Sequence, residues 1–77
     1  MDYTLLINKA ISQIGKLPSG RTFVLKDLYI GAEWNQLPNG VRRDLGRNFK
    51  NEVIRGHIPN VSYIGKADNN SSMYIKE

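Results

Sequence analysis

Tyr3, Leu6, Ile7, Ala10, Ile11 and Ile14 recur at intervals of three and four, the spacing that lines one stripe of an α-helix. A helix is predicted over residues 2–14, with Asp2 as its N-cap, Gly15 as its stop and Pro18-Ser19-Gly20 as the following turn. Leu5 falls off the stripe and is either an ordinary exposed leucine or part of a self-association surface. Thr22-Phe23-Val24 is β-prone but short, which predicts a small strand or an extended lead-in. Leu25 to Ile30 reads as a helix of about two turns closed by Gly31. The stretch "AEWNQLPNG" then reads as a compact turn anchored to the core by Trp34 and Leu37.

A third helix starts after Asn39-Gly40. On a wheel begun at Val41, the residues Val41, Leu45, Phe49 and Val53 lie four apart and span roughly 120° of apolar face. Arg43, Arg47 and Lys50 fall within roughly 60° on the other side, so three cations share one outward face. Arg42 lies at the edge of the apolar arc, from which it arches back over the first turn. Ile54 falls in the basic arc, so the helix ends near it; Gly56 supplies the stop and Pro59 prevents continuation. Val61 to Lys66 and Met73 to Lys76 then read as two strands around a polar turn, residues 67–72, with Asn69, Asn70 and Ser71 at its tip. Helix, short strand, short helix, turn, longer basic helix and hairpin give an α+β chain in one domain, residues 1–77. That is the element order of a small winged helix-turn-helix: three helices plus a C-terminal β-hairpin wing.

Gly46 interrupts the third helix at a cost of about 1 kcal/mol relative to alanine. At roughly 140° it borders the apolar arc, and the favoured reading is that it lets the preceding helix pack closely. Close approach of a nucleic-acid backbone is the other reading.

The chain holds 77 residues, seven of them glycine and none cysteine. A domain this small buries only about 60% of its unfolded surface, and neither disulfides nor thiolate-bound metal supplement that core. Its aliphatic and aromatic runs, such as Leu5-Leu6-Ile7, are too short for a membrane span or a signal-peptide core, which suits a cytoplasmic protein. Net charge is +4, and three of the four surplus charges fall within residues 41–60. A localised basic patch of this kind suits a polyanion, bound through phosphate neutralisation and counterion release.

Arg42, Arg43, Arg47 and Lys50 are therefore the candidate contacts on the third helix, where helix-turn-helix folds present groups to DNA. Tyr63, Lys66, Tyr74 and Lys76 interleave aromatics with cations along the hairpin. Tyrosines on a ribbon stack unpaired bases while lysines follow phosphates. Either tyrosine can instead face inward to cover the core. No catalytic or cofactor constellation is found: His57 is the single histidine, and Asp27, Glu33, Asp44 and Glu52 show no metal or paired-carboxylate spacing. The expectation is a protein that is not an enzyme and uses no cofactor, metal or small-molecule substrate.

From Phe23 to Lys66 the chain resembles a known family. The residues that carry the likeness are Phe23-Val24-Leu25-Lys26-Asp27-Leu28, Trp34, Arg42, Leu45-Gly46-Arg47, Phe49, Val53, Gly56 and Val61-Ser62-Tyr63-Ile64. The family comprises short single-domain proteins of unknown function carried by phages, plasmids and cassette elements of Gram-positive bacteria. The chain is similar in particular to cassette-encoded members, winged-helix proteins that bind single-stranded DNA. The resemblance implies the fold and, for function, sequence-tolerant single-strand binding during replication or transfer of a mobile element.

Two other functions stay open, because folds of this type host all three. One is a double-stranded-DNA-binding transcriptional regulator, dimeric and reading two half-sites. The other is a winged-helix adaptor for a protein partner. Asn48 and Asn51, the helix residues with adenine-reading chemistry, lie away from the basic centre, which disfavours base-specific readout. A net charge of only +4 favours either cooperative binding along DNA or the adaptor.

Overall fold

The computed structural model describes residues 3–67 and 71–77. Asp2 as a helix cap and Asn69 and Asn70 at the hairpin tip lie outside the described residues. The protein is α+β, with three helices and a three-stranded antiparallel sheet among the described residues.

Helix α1 spans Thr4–Ile14. Ala10 and Ile14 are buried, Leu6, Ile7 and Ile11 pack beside them, and Leu5 is exposed. Gly15 does not end α1 by turning left-handed; its φ is −58°. The chain instead tightens through two further bonds, Lys16 N–H to the Gln13 carbonyl and Leu17 N–H to the Ile14 carbonyl. Pro18, which has no N–H to donate, follows. Strand β1 covers Thr22–Val24.

The helix expected over Leu25–Ile30 is a single 3-10 turn, Leu25–Leu28. The Asp27 carboxylate accepts the Val24 N–H at 3.1 Å and closes this turn on itself. One turn is enough to bury Leu25, Leu28 and Tyr29, so their helical spacing needs no longer helix. Tyr29 is extended, its hydroxyl donating to the Leu6 carbonyl at 2.7 Å. Gly31 consequently opens a helix rather than closing one. Helix α2, Gly31–Asn35, occupies the stretch expected to be a turn, and Trp34 stacks on Tyr29 with ring centroids 5.7 Å apart. An ion pair between Lys9 and Glu33 ties α2 to α1.

Helix α3 runs Asn39–Ile54 and buries Leu45, Phe49 and Val53, with Val41 half-buried at its start. Its end is a Schellman motif. Gly56, at φ +78°, donates to the Val53 carbonyl, and His57 N–H donates to the Glu52 carbonyl. A left-handed residue is required there, and glycine supplies it without steric penalty.

Strands β2, Val61–Lys66, and β3, Ser72–Lys76, form the hairpin, and β3 also pairs with β1, giving the order β1-β3-β2. Phe23, Tyr74 and Tyr63 therefore stand side by side across the sheet. Tyr74, in the middle, stacks on Phe23 at 5.7 Å and meets the Phe49 ring edge-on at 5.0 Å. This aromatic row joins the sheet to α3, with each such pair contributing about 1 kcal/mol beyond its buried area. Next to it the register slips: Tyr63 pairs with Tyr74 but Gly65 with Met73, so Ile64 is an extra, outward-facing residue. Gly65 absorbs the bulge at φ +113°.

Candidate nucleic-acid interface

Leu45, Phe49 and Val53 fix the rotation of α3 by burying its apolar stripe. The remaining surface of the helix is thereby committed, and Arg42, Arg43, Arg47 and Lys50 all line one groove of about 780 Å³. Val24, Leu25, Lys26 and Asp27, from the end of β1 and the 3-10 turn, line it as well. Trp34 of α2 contributes too, and the hairpin adds Lys66, Ser71 and Ser72. Six of the chain's eleven Lys and Arg residues thus face one concavity, against one carboxylate, Asp27, already engaged with a backbone N–H.

The cations are held in different ways. Arg42 donates to the Asn39 side chain, bending back over the first turn of α3 as its wheel position predicts. Arg47 approaches the Asp44 carboxylate at 3.5 Å on an open surface, a contact worth well under 1 kcal/mol that phosphate can displace. Lys50 lies with its ammonium 4.6 Å from the centroid of the Tyr63 ring. That arrangement orients Lys50 and covers one part of Tyr63, which is half-buried. Arg43 is exposed.

Two of the expected contacts are not free for a ligand: Tyr74 borders the groove but is buried, and Lys76 is engaged outside it. Tyr74 is 1% exposed, because β3 is the central strand and Phe23, Phe49 and Tyr63 surround its ring. It has no face left to stack a base. Burial pushes its hydroxyl up to about 12, partly offset by a hydrogen bond with the Ser72 side chain. Lys76 is not among the groove residues; its ammonium donates to the Ile14 carbonyl at the end of α1, at 2.8 Å. There its positive charge complements the negative end of α1.

A family model described as a domain of unknown function (DUF1413) matches residues 8–76. The chain belongs to the DUF1413 family. No curated protein and no solved structure matches it.

In this DUF1413 chain, the sequence pattern overlooks two groove residues and misreads a third. Lys26 was hidden by the expected helix; a 3-10 turn exposes it and turns it to the groove. Trp34 packs against the core as expected, but it is only half-buried and also lines the groove. Gly46 is the misreading. A Cβ built at this position meets nothing within 4 Å, so no helix packs against it. It lies instead on the groove wall, between the cations. The residue's position between the apolar and basic arcs was the available signal.

Elsewhere the DUF1413 domain offers less chemistry. His57 Nδ1 and Glu52 Oε2 lie 2.6 Å apart at the exposed end of α3. No group of three or more metal-ligating side chains comes together among the described residues. Among the described residues, no helix is long and apolar enough to cross a membrane.

Proposed function

We propose that this protein is a winged helix-turn-helix domain that binds nucleic acid in the α3 groove, taking single-stranded DNA in preference to duplex. The element order, with β1 closing on β3 beside the β2–β3 hairpin, supports the fold assignment. The groove carries the functional one. Its six cations line a channel to which the 3-10 turn and the hairpin both contribute. A duplex major groove receives a helix that protrudes, whereas a recessed basic face suits a single flexible backbone.

Trp34 and Tyr63 supply half-exposed aromatic surface in and beside the channel, on which unpaired bases can stack at about 1–3 kcal/mol each. The Asn48 amide donates to the Asp44 carbonyl at 2.8 Å, which occupies it within the helix and favours sequence tolerance. On this reading the strands bound are those exposed during replication or transfer of a mobile element.

The test is fluorescence anisotropy of labelled oligonucleotides, single-stranded and duplex with matched sequence, at two salt concentrations. Tighter single-strand binding across unrelated sequences is expected. Arg43→Ala and Arg47→Ala should each weaken it, and each lost contact should lower the salt slope by about 0.7. Quenching of Trp34, the single tryptophan, should accompany binding. Duplex-only binding would replace this reading with an operator-binding one, and no binding at low salt would end the nucleic-acid reading.

A further inference from the structure

Gly46 weakens α3, yet nothing in the fold uses the space it leaves. Its φ is not in the left-handed range, and an added Cβ meets no atom within 4 Å, so alanine fits without strain. A helix-interior glycine with no conformational or packing requirement has its use outside the fold.

Helix geometry shows what surrounds the gap. Arg42, Gly46 and Lys50 are four apart and form one ridge, with Gly46 as a notch between two cations. Arg43 and Arg47 form the adjacent row, one on either side of the notch in height. All five line the same groove, and Lys26 and Lys66 line it from other elements. A backbone with exposed peptide surface, ringed by guanidinium and ammonium groups and open to solvent, is a seat for an anion that must come close to the helix axis.

We infer that the Gly46 notch seats a backbone phosphate of the bound strand, the point at which the nucleic acid crosses α3 at closest approach. This rests on the nucleic-acid reading of the groove and adds to it a fixed crossing point. The Arg42 and Lys50 side chains grip the phosphate from the turns before and after, and Arg43 and Arg47 hold its neighbours. A side chain at position 46 lifts the strand off this seat without removing any charge. Asp27 lines the groove, and Asp44 lies two residues before Gly46 on α3. The first is engaged by the Val24 N–H and the second by Arg47, so neither closes the notch to an anion.

The experiment uses the full chain and a labelled oligothymidylate, with Gly46→Ala, Gly46→Leu and Arg43→Ala compared with the wild type. Melting temperature is measured for each variant. Gly46→Ala should melt at or above the wild-type temperature, because alanine is the better helix former. It should nevertheless bind more weakly, and Gly46→Leu weaker still, by about tenfold or more, the loss expected when a charged hydrogen bond is broken. The salt slope should fall along with the affinity. If Arg43→Ala weakens binding while both folded Gly46 variants bind within about twofold of wild type, the notch assignment is wrong and the groove reading stands. If the wild-type protein does not bind the strand, both are wrong.

Discussion

The two strands of the hairpin each carry a tyrosine followed by a lysine but use them in opposite ways. On β2, Tyr63 keeps an exposed part under Lys50, and Lys66 opens into the basic groove. On β3, Tyr74 is the centre of the core and Lys76 is bonded to the end of α1. Composition does not separate the two strands; sheet order does. β2 is an edge strand with one neighbour, whereas β3 lies between β1 and β2 and has its inner face covered by α3. A central strand builds the fold, and the edge strand is left free to present its groups.

The largest effect should come from removing the two tyrosines in turn. Tyr74→Ala deletes a ring touching Phe23, Phe49 and Tyr63, and should cost about 3–5 kcal/mol. For a domain whose total stability is on the order of 5–15 kcal/mol, that brings it close to unfolding. Tyr63→Ala should cost about 1–2 kcal/mol and leave a folded protein with weakened oligonucleotide binding. Urea denaturation followed by circular dichroism reads both. Equal losses for the two variants would mean that strand position does not divide structure from function.

A smaller effect follows from the proton on Tyr74. Burial raises both Tyr74 and Tyr29 from 10.0 to about 12, since a phenolate in the core loses its hydration; Glu33 adds to the effect on Tyr29. An unfolded tyrosine ionises near 10, so the folded state holds its proton more tightly than the unfolded state does. The resulting stabilisation is fully present below pH 10 and is lost as pH rises from 10 towards 12. Each tyrosine accounts for at most about 2–3 kcal/mol over that window. Tyr74→Phe should show a shallower alkaline decline than wild type. Superimposable curves for Tyr74→Phe and wild type would remove Tyr74 from the alkaline transition.

The contrast between the strands also explains what the sequence could and could not reveal. Local periodicity was sufficient for α1, for the apolar stripe Leu45, Phe49 and Val53, and for the Gly56 stop, because each depends on neighbours within a few residues. It failed for Leu25–Leu28, where the spacing of buried residues is the same in one 3-10 turn as in a helix, and the Asp27 carboxylate decides between them. It failed for Tyr74 and Lys76 because their fate depends on β1, some fifty residues earlier, pairing with β3. Gly46 was legible as an anomaly and misassigned as to cause. The wheel located it at the boundary of two faces, but only the three-dimensional neighbourhood shows that the space is open.

The smallest expected effect is also the sharpest test of the comparison, because it concerns two lysines on adjacent strands. Lys76→Ala removes a charged hydrogen bond to the Ile14 carbonyl from a half-buried site, and should lower stability by about 1 kcal/mol. Oligonucleotide affinity should be unchanged apart from the general loss of one positive charge. Lys66→Ala removes an exposed cation from the groove, so the melting temperature should stay within error while affinity and salt slope both fall. The two losses are small, so neither variant alone separates a lost contact from a change in net charge. Measured together they do, because both carry the same change in net charge. A difference in binding between them must then come from where the lysine stands. Equal binding by the two variants would reduce the groove to bulk electrostatics.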